Sequence, residues 1–172
     1  MTSKTDPRTT YPGYAALTGA FLAGTGAALA GLSRRDRLPA RFTVGDVTLL
    51  GVATYQLSRT LSRDRVTAFL REPFAKQGDS VGRGEVESEA EGEGLRRAVG
   101  ELLICPFCMT QWVGAAFLVG LCAAPRPTRF AASLFALRTV AESVNIAHEA
   151  AVARVDRMQN TAKVAHRRVA AA

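Results

Sequence analysis

The chain is poor in the residues that chemistry usually needs, with three cysteines, two histidines and one tryptophan in 172 residues. It carries no Ser/His/Asp set, no glycine-rich phosphate loop and no paired carboxylates outside one acidic stretch. Those absences argue against a hydrolase or nucleotide-dependent enzyme, and the expectation is a protein that is not an enzyme. Three cysteines are too few for a disulfide-built secreted domain. Hydrophobic residues at 48% and charged residues at 22% exclude wholesale disorder, and the 15 glycines are too few for collagen. What is present is basic. There are 22 Lys+Arg against 15 Asp+Glu, a net charge of +7. Such a surplus points to an anionic partner, lipid headgroups or nucleic acid. No basic stripe interleaved with aromatics and no nucleic-acid motif occurs, so the reading is lipid.

The apolar residues come in blocks. Ala15 to Leu32 holds 18 residues without one ionisable group, and Leu102 to Ala124 holds 23 uncharged residues. Phe42 to Leu57 carries one acid, Asp46, and Phe130 to Ala147 is interrupted by Arg138 and Glu142. A membrane-spanning helix takes about 20 apolar residues. The expectation is therefore an all-α, small polytopic membrane helix bundle with four spans. Three spans plus a re-entrant second stretch is the variant. Gly19/Ala23 and Gly24/Ala28 repeat the small-xxx-small spacing that lets helices approach in lipid. Lys4, Arg8 and the Ala28-Leu29-Ala30 site imitate a signal peptide. The glycine-rich run and the long polar lead-in argue against cleavage.

Basic residues orient the bundle. With four spans and both ends inside, fifteen Lys and Arg are cytoplasmic and six are outside. In the re-entrant variant the N-terminus lies outside. Both versions place the central loop and the C-terminus in the cytoplasm of a multi-pass plasma-membrane protein.

The central loop has two characters. From Ser58 to Lys76, Val66, Phe69, Leu70 and Phe74 fall on one helical face, flanked by Arg63, Arg65, Arg71 and Lys76. Asp64 is placed to cap that helix and Pro73 to end it. An amphipathic cytoplasmic helix results, lying among anionic headgroups or packed on the bundle. Residues 78–94 then turn acidic and glycine-rich, which predicts a disordered linker.

Cys105-Pro106-Phe107-Cys108 opens the third apolar run. A residue before proline leaves the helical region, whereas proline suits a first turn. The helix is therefore expected to start at Pro106 with Cys105 as its N-cap, and Leu95 to Ile104 to form a separate short helix. Thiols three residues apart at a helix N-terminus have redox geometry. The same motif occurs in glutaredoxin-like sites, but the βαβ pattern they require is absent. Zinc takes about four ligands. Cys105, Cys108 and His148 supply three, and His166, Glu101 or Glu149 could complete the set. Cys122 lies about 25 Å along the helix from them. Structural, metal and redox roles all stay open; the structural role is favoured and no cofactor is expected.

In the last run Arg138, Glu142, Asn145 and Glu149 are spaced 4, 3 and 4, one stripe of a helix. Ionisable groups within a span are costly unless paired or facing water, so this stripe should face other helices. An Arg138–Glu142 pair that helps hold the bundle is the simpler reading; a polar pathway is the functional one.

The stretch LSRTLSRDRVTAFLREPF, the later E-L-L-x-C-P-F-C-x-x-x-W and a last span with a polar stripe together resemble a known family. This is the bacterial membrane family of domain of unknown function 1360, which includes a sporulation-associated protein. The motif positions are Arg59, Asp64, Val66, Thr67, Arg71, Pro73 and Phe74, then Cys105, Pro106, Cys108 and Trp112. The resemblance implies membrane class and no particular activity. The chain divides into an N-terminal extension with the first span (1–41), a membrane domain (42–148) broken by the linker, and a basic helical tail (149–172). The expected function is a non-enzymatic adaptor or scaffold, self-associating or bound to another membrane protein. The alternatives are a thiol-redox or zinc-binding surface protein and a small transporter component.

Overall fold

The computed structural model describes residues 10–170, with side chains described for residues 10–161. Lys4, Arg8 and the side chains of Lys163, His166, Arg167 and Arg168 lie outside the described residues. Two compact units divide the chain, one ending at Ala136 and the other starting at Leu137.

The first unit opens with α1 (Tyr11–Arg34). Pro12 occupies its first turn, where its missing N–H costs nothing. Its end is a Schellman turn: Arg37 N donates to Leu32 O, and Asp36 N to Ser33 O. Asp36 holds the left-handed position at φ 51°, which a short polar side chain tolerates. Next comes α2 (Val44–Arg63), whose cap Thr43 accepts from Asp46 N at 3.0 Å. A 3-10 turn over Arg65–Thr67 leads into one helical turn, α3 (Ala68–Arg71). Then follow strands β1 (Ala75–Gly82) and β2 (Glu85–Ala90), helix α4 (Gly94–Ile104), helix α5 (Pro106–Ala123) and the start of α6 (Pro125–Ala170). The second unit is the remainder of α6.

The apolar core lies between α2 and α5. Leu50 and Ala53 meet Met109, Val113, Phe117 and Leu121, and Ala132 of α6 joins them. The α5 residues recur every four positions, one ridge of a helix. The two helices are antiparallel. Thr54 sits against Gly114 near their middles, while Arg63 and Phe107 border one cleft and Asp46 and Leu121 another.

Among the described residues two helices, α1 and α5, are long and apolar enough to cross a membrane. Four spans are not supported. In α2 polar residues replace apolar ones on the face turned into the protein: Gln56, Ser58 and Ser62 are all buried. In α6 Arg138 and Glu142 interrupt the apolar run.

The all-α expectation is also corrected, because a two-stranded antiparallel sheet stands where residues 78–94 read as disordered. Gly82, Arg83 and Gly84 adopt positive φ and reverse the chain, and Ala75 pairs with Ala90. The acids of β2 alternate with residues facing inward. Val86 and Ala90 are buried while Glu87 and Glu89 point to solvent. A dense acidic composition thus hides a period of two. The hairpin rests on α4, where Gly100 passes so close that an added Cβ would lie 2.5 Å from Phe74 O.

The expected amphipathic helix is likewise shorter than its pattern suggests. Asp64 is the extended C-cap of α2 and makes an isolated bridge with Glu85. Val66, Phe69 and Leu70 remain exposed, and only Phe74 is half-buried.

Candidate functional site

Most of the motif residues gather at the end of the first unit where α2 stops, the hairpin folds back and α5 begins. The last turn of any helix leaves carbonyls without intrahelical partners. Here a cation from ten residues downstream fills that role. Arg71 is 1% exposed. Its Nη1 donates to Leu61 O at 2.6 Å and to Thr67 Oγ1 at 3.0 Å, and its Nη2 donates to Asp64 O at 3.0 Å. Thr67 Oγ1 in turn donates to Thr60 O at 2.5 Å, with Asp64 O 3.0 Å away. A guanidinium on a helix C-terminus also sits at the negative end of the helix dipole. Burial lowers the Arg71 pKa from its ordinary value, the Asp64 charge opposes that shift, and Arg63 adds to it. Nε of Arg71 is buried and has no partner.

Arg59, one helical turn before the last residue of α2, reaches the hairpin. Its Nε donates to Glu85 Oε1 at 2.7 Å, Nη2 lies 2.5 Å from the same oxygen, and Nη1 donates to Tyr55 Oη at 3.1 Å. Pro73 O accepts from Arg96 Nε at 3.0 Å, and Phe74 O accepts from Glu91 N at 2.9 Å. Arg59, Thr67, Arg71, Pro73 and Phe74 are thus brought together as a bracket joining α2, the hairpin and α4. Val66 stays on the exposed surface beside it.

The cysteine turn forms as the sequence predicts. Cys105 has extended φ and ψ, and its Sγ accepts from Cys108 N at 3.3 Å, with Pro106 as the first helical residue. A sulfur acceptor here takes the place of the usual hydroxyl or carboxylate cap. Both thiols are free; Cys105 is half-buried and Cys108 exposed. Trp112 lies one face further along α5, edge-on to Phe21 of α1 at 5.2 Å. Arg59, Tyr55, Arg63 and Glu85 line a 290 Å³ cleft with Pro106 and Phe107.

His148 and the polar stripe belong to the second unit. Arg138 Nε donates to Glu142 Oε1 at 3.1 Å, while Asn145, His148 and Glu149 are exposed. Cys105 and Cys108 are two donors where structural zinc takes four. Among the described residues no group of three or more His, Cys, Asp or Glu side chains is placed to hold a metal ion.

Sequence reasoning missed one strong pair. Arg129 donates to both carboxylate oxygens of Asp46, at 2.8 and 3.1 Å, from 83 residues away. Nothing local in the sequence links the two. They tie the start of α6 to the start of α2, and Thr43 Oγ1 adds a 2.8 Å hydrogen bond to the same carboxylate. Glu85 and Tyr55 were equally invisible, since one sat in the acidic stretch and the other in an apolar run.

A family model described as "Protein of unknown function (DUF1360)" matches residues 49–148. The sporulation protein YjcA of Bacillus subtilis (strain 168) is 37% identical over 84 residues, covering 47% of this chain and 70% of that protein. No solved structure matches.

Proposed function

This chain belongs to the DUF1360 family of proteins of unknown function, and on that premise we propose that it is a non-enzymatic integral membrane adaptor or scaffold. The observation that carries the reading is the nakedness of α1: only 6% of its most apolar window is buried inside the protein. Leu22 and Leu29 stand open, and leaving such side chains in water costs about 2 kcal/mol each. Lipid covers them at no such cost.

The direction of the helices extends this reading. Tyr14 of α1 bonds Glu101 beside the start of α5, and Arg37 after α1 donates to Ala123 O at its end, at 2.6 Å. The two apolar helices therefore run the same way. If both cross, the chain must return between them, and α2 is the antiparallel helix that does so. Most of its polar residues, among them Thr54, Gln56, Ser58, Thr60 and Ser62, are buried in the protein, so it can cross despite its low hydropathy. Arg59, Arg63, Arg65, Arg71, Lys76, Arg83, Arg96 and Arg97 then lie on one side of the membrane, which the positive-inside rule favours as cytoplasmic. The bracket and hairpin would be the surface offered to a partner.

Alkaline carbonate extraction of membranes tests the core of the proposal. The chain should stay in the pellet, and release into the supernatant would overturn it. Affinity capture from the same membranes should then recover a second copy or another membrane protein. A second reading, thiol or metal chemistry at the membrane surface, is favoured by one observation, the Cys105 Sγ held against the Cys108 amide. Metal near one equivalent per chain in the purified sample, lost in Cys105→Ser and in Cys108→Ser, would promote it.

A further inference from the structure

A cavity of 830 Å³ with a mixed polar and apolar lining opens between α3 and the hairpin. Its volume lies within the range that holds small-molecule ligands, about 300–1,000 Å³. Arg65, Arg71 and Lys76 line it, and so do Glu72, Glu91 and Phe69. Three cations outnumber two carboxylates, so the lining favours an anion. Arg65 and Lys76 are exposed, and among the described residues neither side chain has a hydrogen-bond or ion-pair partner. Arg71 is buried, and its Nε is a donor left without an acceptor, which is costly inside a protein. Immediately beside the cavity, Val66, Phe69 and Leu70 are 76%, 67% and 45% exposed. Three large apolar side chains next to a cationic hollow match a lipid: acyl chains for one, a phosphate for the other.

We propose that this cavity holds the headgroup of an anionic glycerophospholipid, its phosphate facing Arg65, Arg71 and Lys76, with Val66, Phe69 and Leu70 set among the acyl chains. Glu72 and Glu91 accept from headgroup hydroxyls, which a phosphatidylglycerol supplies and a phosphatidylcholine does not. The inference rests on the membrane reading above and gives it a specific partner.

The test uses the full chain purified in detergent, with binding of short-chain phosphatidylglycerol, short-chain phosphatidylcholine and inorganic phosphate followed by native mass spectrometry. Phosphatidylglycerol should bind preferentially, and R65Q/K76Q should weaken it about thirtyfold while leaving the helical circular dichroism unchanged. Because both residues are exposed, that variant avoids the folding risk of removing Arg71. Equal binding by wild type and variant, or equal binding of the two lipids, overturns the proposal. Inorganic phosphate binding as tightly as the lipid also overturns it, since the acyl chains would then contribute nothing. Carbonate extraction is run in parallel. Release from the membrane sinks the membrane reading, whereas retention with unselective lipid binding sinks the headgroup site alone.

Discussion

Arg71 and Leu61 are joined by a guanidinium-to-carbonyl hydrogen bond of 2.6 Å that closes the end of α2 from the far side of a turn. The same side chain holds Thr67 Oγ1 and Asp64 O, so one residue fixes where the helix stops and where α3 begins. This makes Arg71 a structural keystone of the motif rather than a reagent. Replacing it by Met keeps the bulk and removes three hydrogen bonds. The expected loss is about 3 kcal/mol of stability, since the Leu61 and Asp64 carbonyls lose a charged partner. Thermal unfolding in detergent measures it, with Arg65→Gln as the exposed control within about 0.5 kcal/mol of wild type. An unchanged Arg71→Met midpoint would remove the bracket from the account.

Some of this was legible in the sequence and some was not, for physical reasons. Pro106 announced the start of α5 and Cys105 its cap, because proline restricts both its own φ and its predecessor. The apolar runs of α1 and α5 were equally plain. The hairpin was missed because acids and glycines suggest disorder by composition, while the inward positions of β2 carry only Val86, Ser88 and Ala90. Arg71 read as one cation flanking an amphipathic helix. A charged residue facing inward onto backbone carbonyls has no signature in hydropathy. The Arg129–Asp46 pair depends on tertiary contact alone.

Gly100 and Gly51 separate close packing from glycine content. A Cβ at Gly100 would meet Phe74 O at 2.5 Å and Ala90 Cβ at 3.1 Å, whereas at Gly51 nothing lies within 4 Å. Gly100→Ala should therefore cost about 1–3 kcal/mol by forcing α4 away from the hairpin. Gly51→Ala should instead be neutral or stabilising by up to about 1 kcal/mol, through helix propensity. Equal effects of the two substitutions would contradict the tight seating of the hairpin on α4.

Asp46 links the start of α2 to the start of α6 through two hydrogen bonds from Arg129, at 2.8 and 3.1 Å. The unfolding midpoint of wild type in detergent should therefore exceed that of Asp46→Asn, which keeps the shape and removes the charge. Equal midpoints would mean that the ion pair contributes nothing.

Topology gives the sharpest test, because α5 carries a cysteine near each end. Cys108 and Cys122 are 14 residues apart, about 21 Å of helix. Single-cysteine chains need Cys105 replaced by Ser, whose hydroxyl can still cap the Cys108 amide. In the proposed orientation a membrane-impermeant maleimide reaches Cys122 in intact cells and reaches Cys108 only after permeabilisation. Cys122 is the penultimate residue of α5, next to the Ala123 carbonyl that Arg37 holds, so it lies at the helix edge and not at mid-depth. The opposite pattern would invert the orientation and put the bracket and hairpin outside. Labelling of both cysteines from the same side would mean that α5 does not cross, leaving its apolar surface to be covered by protein.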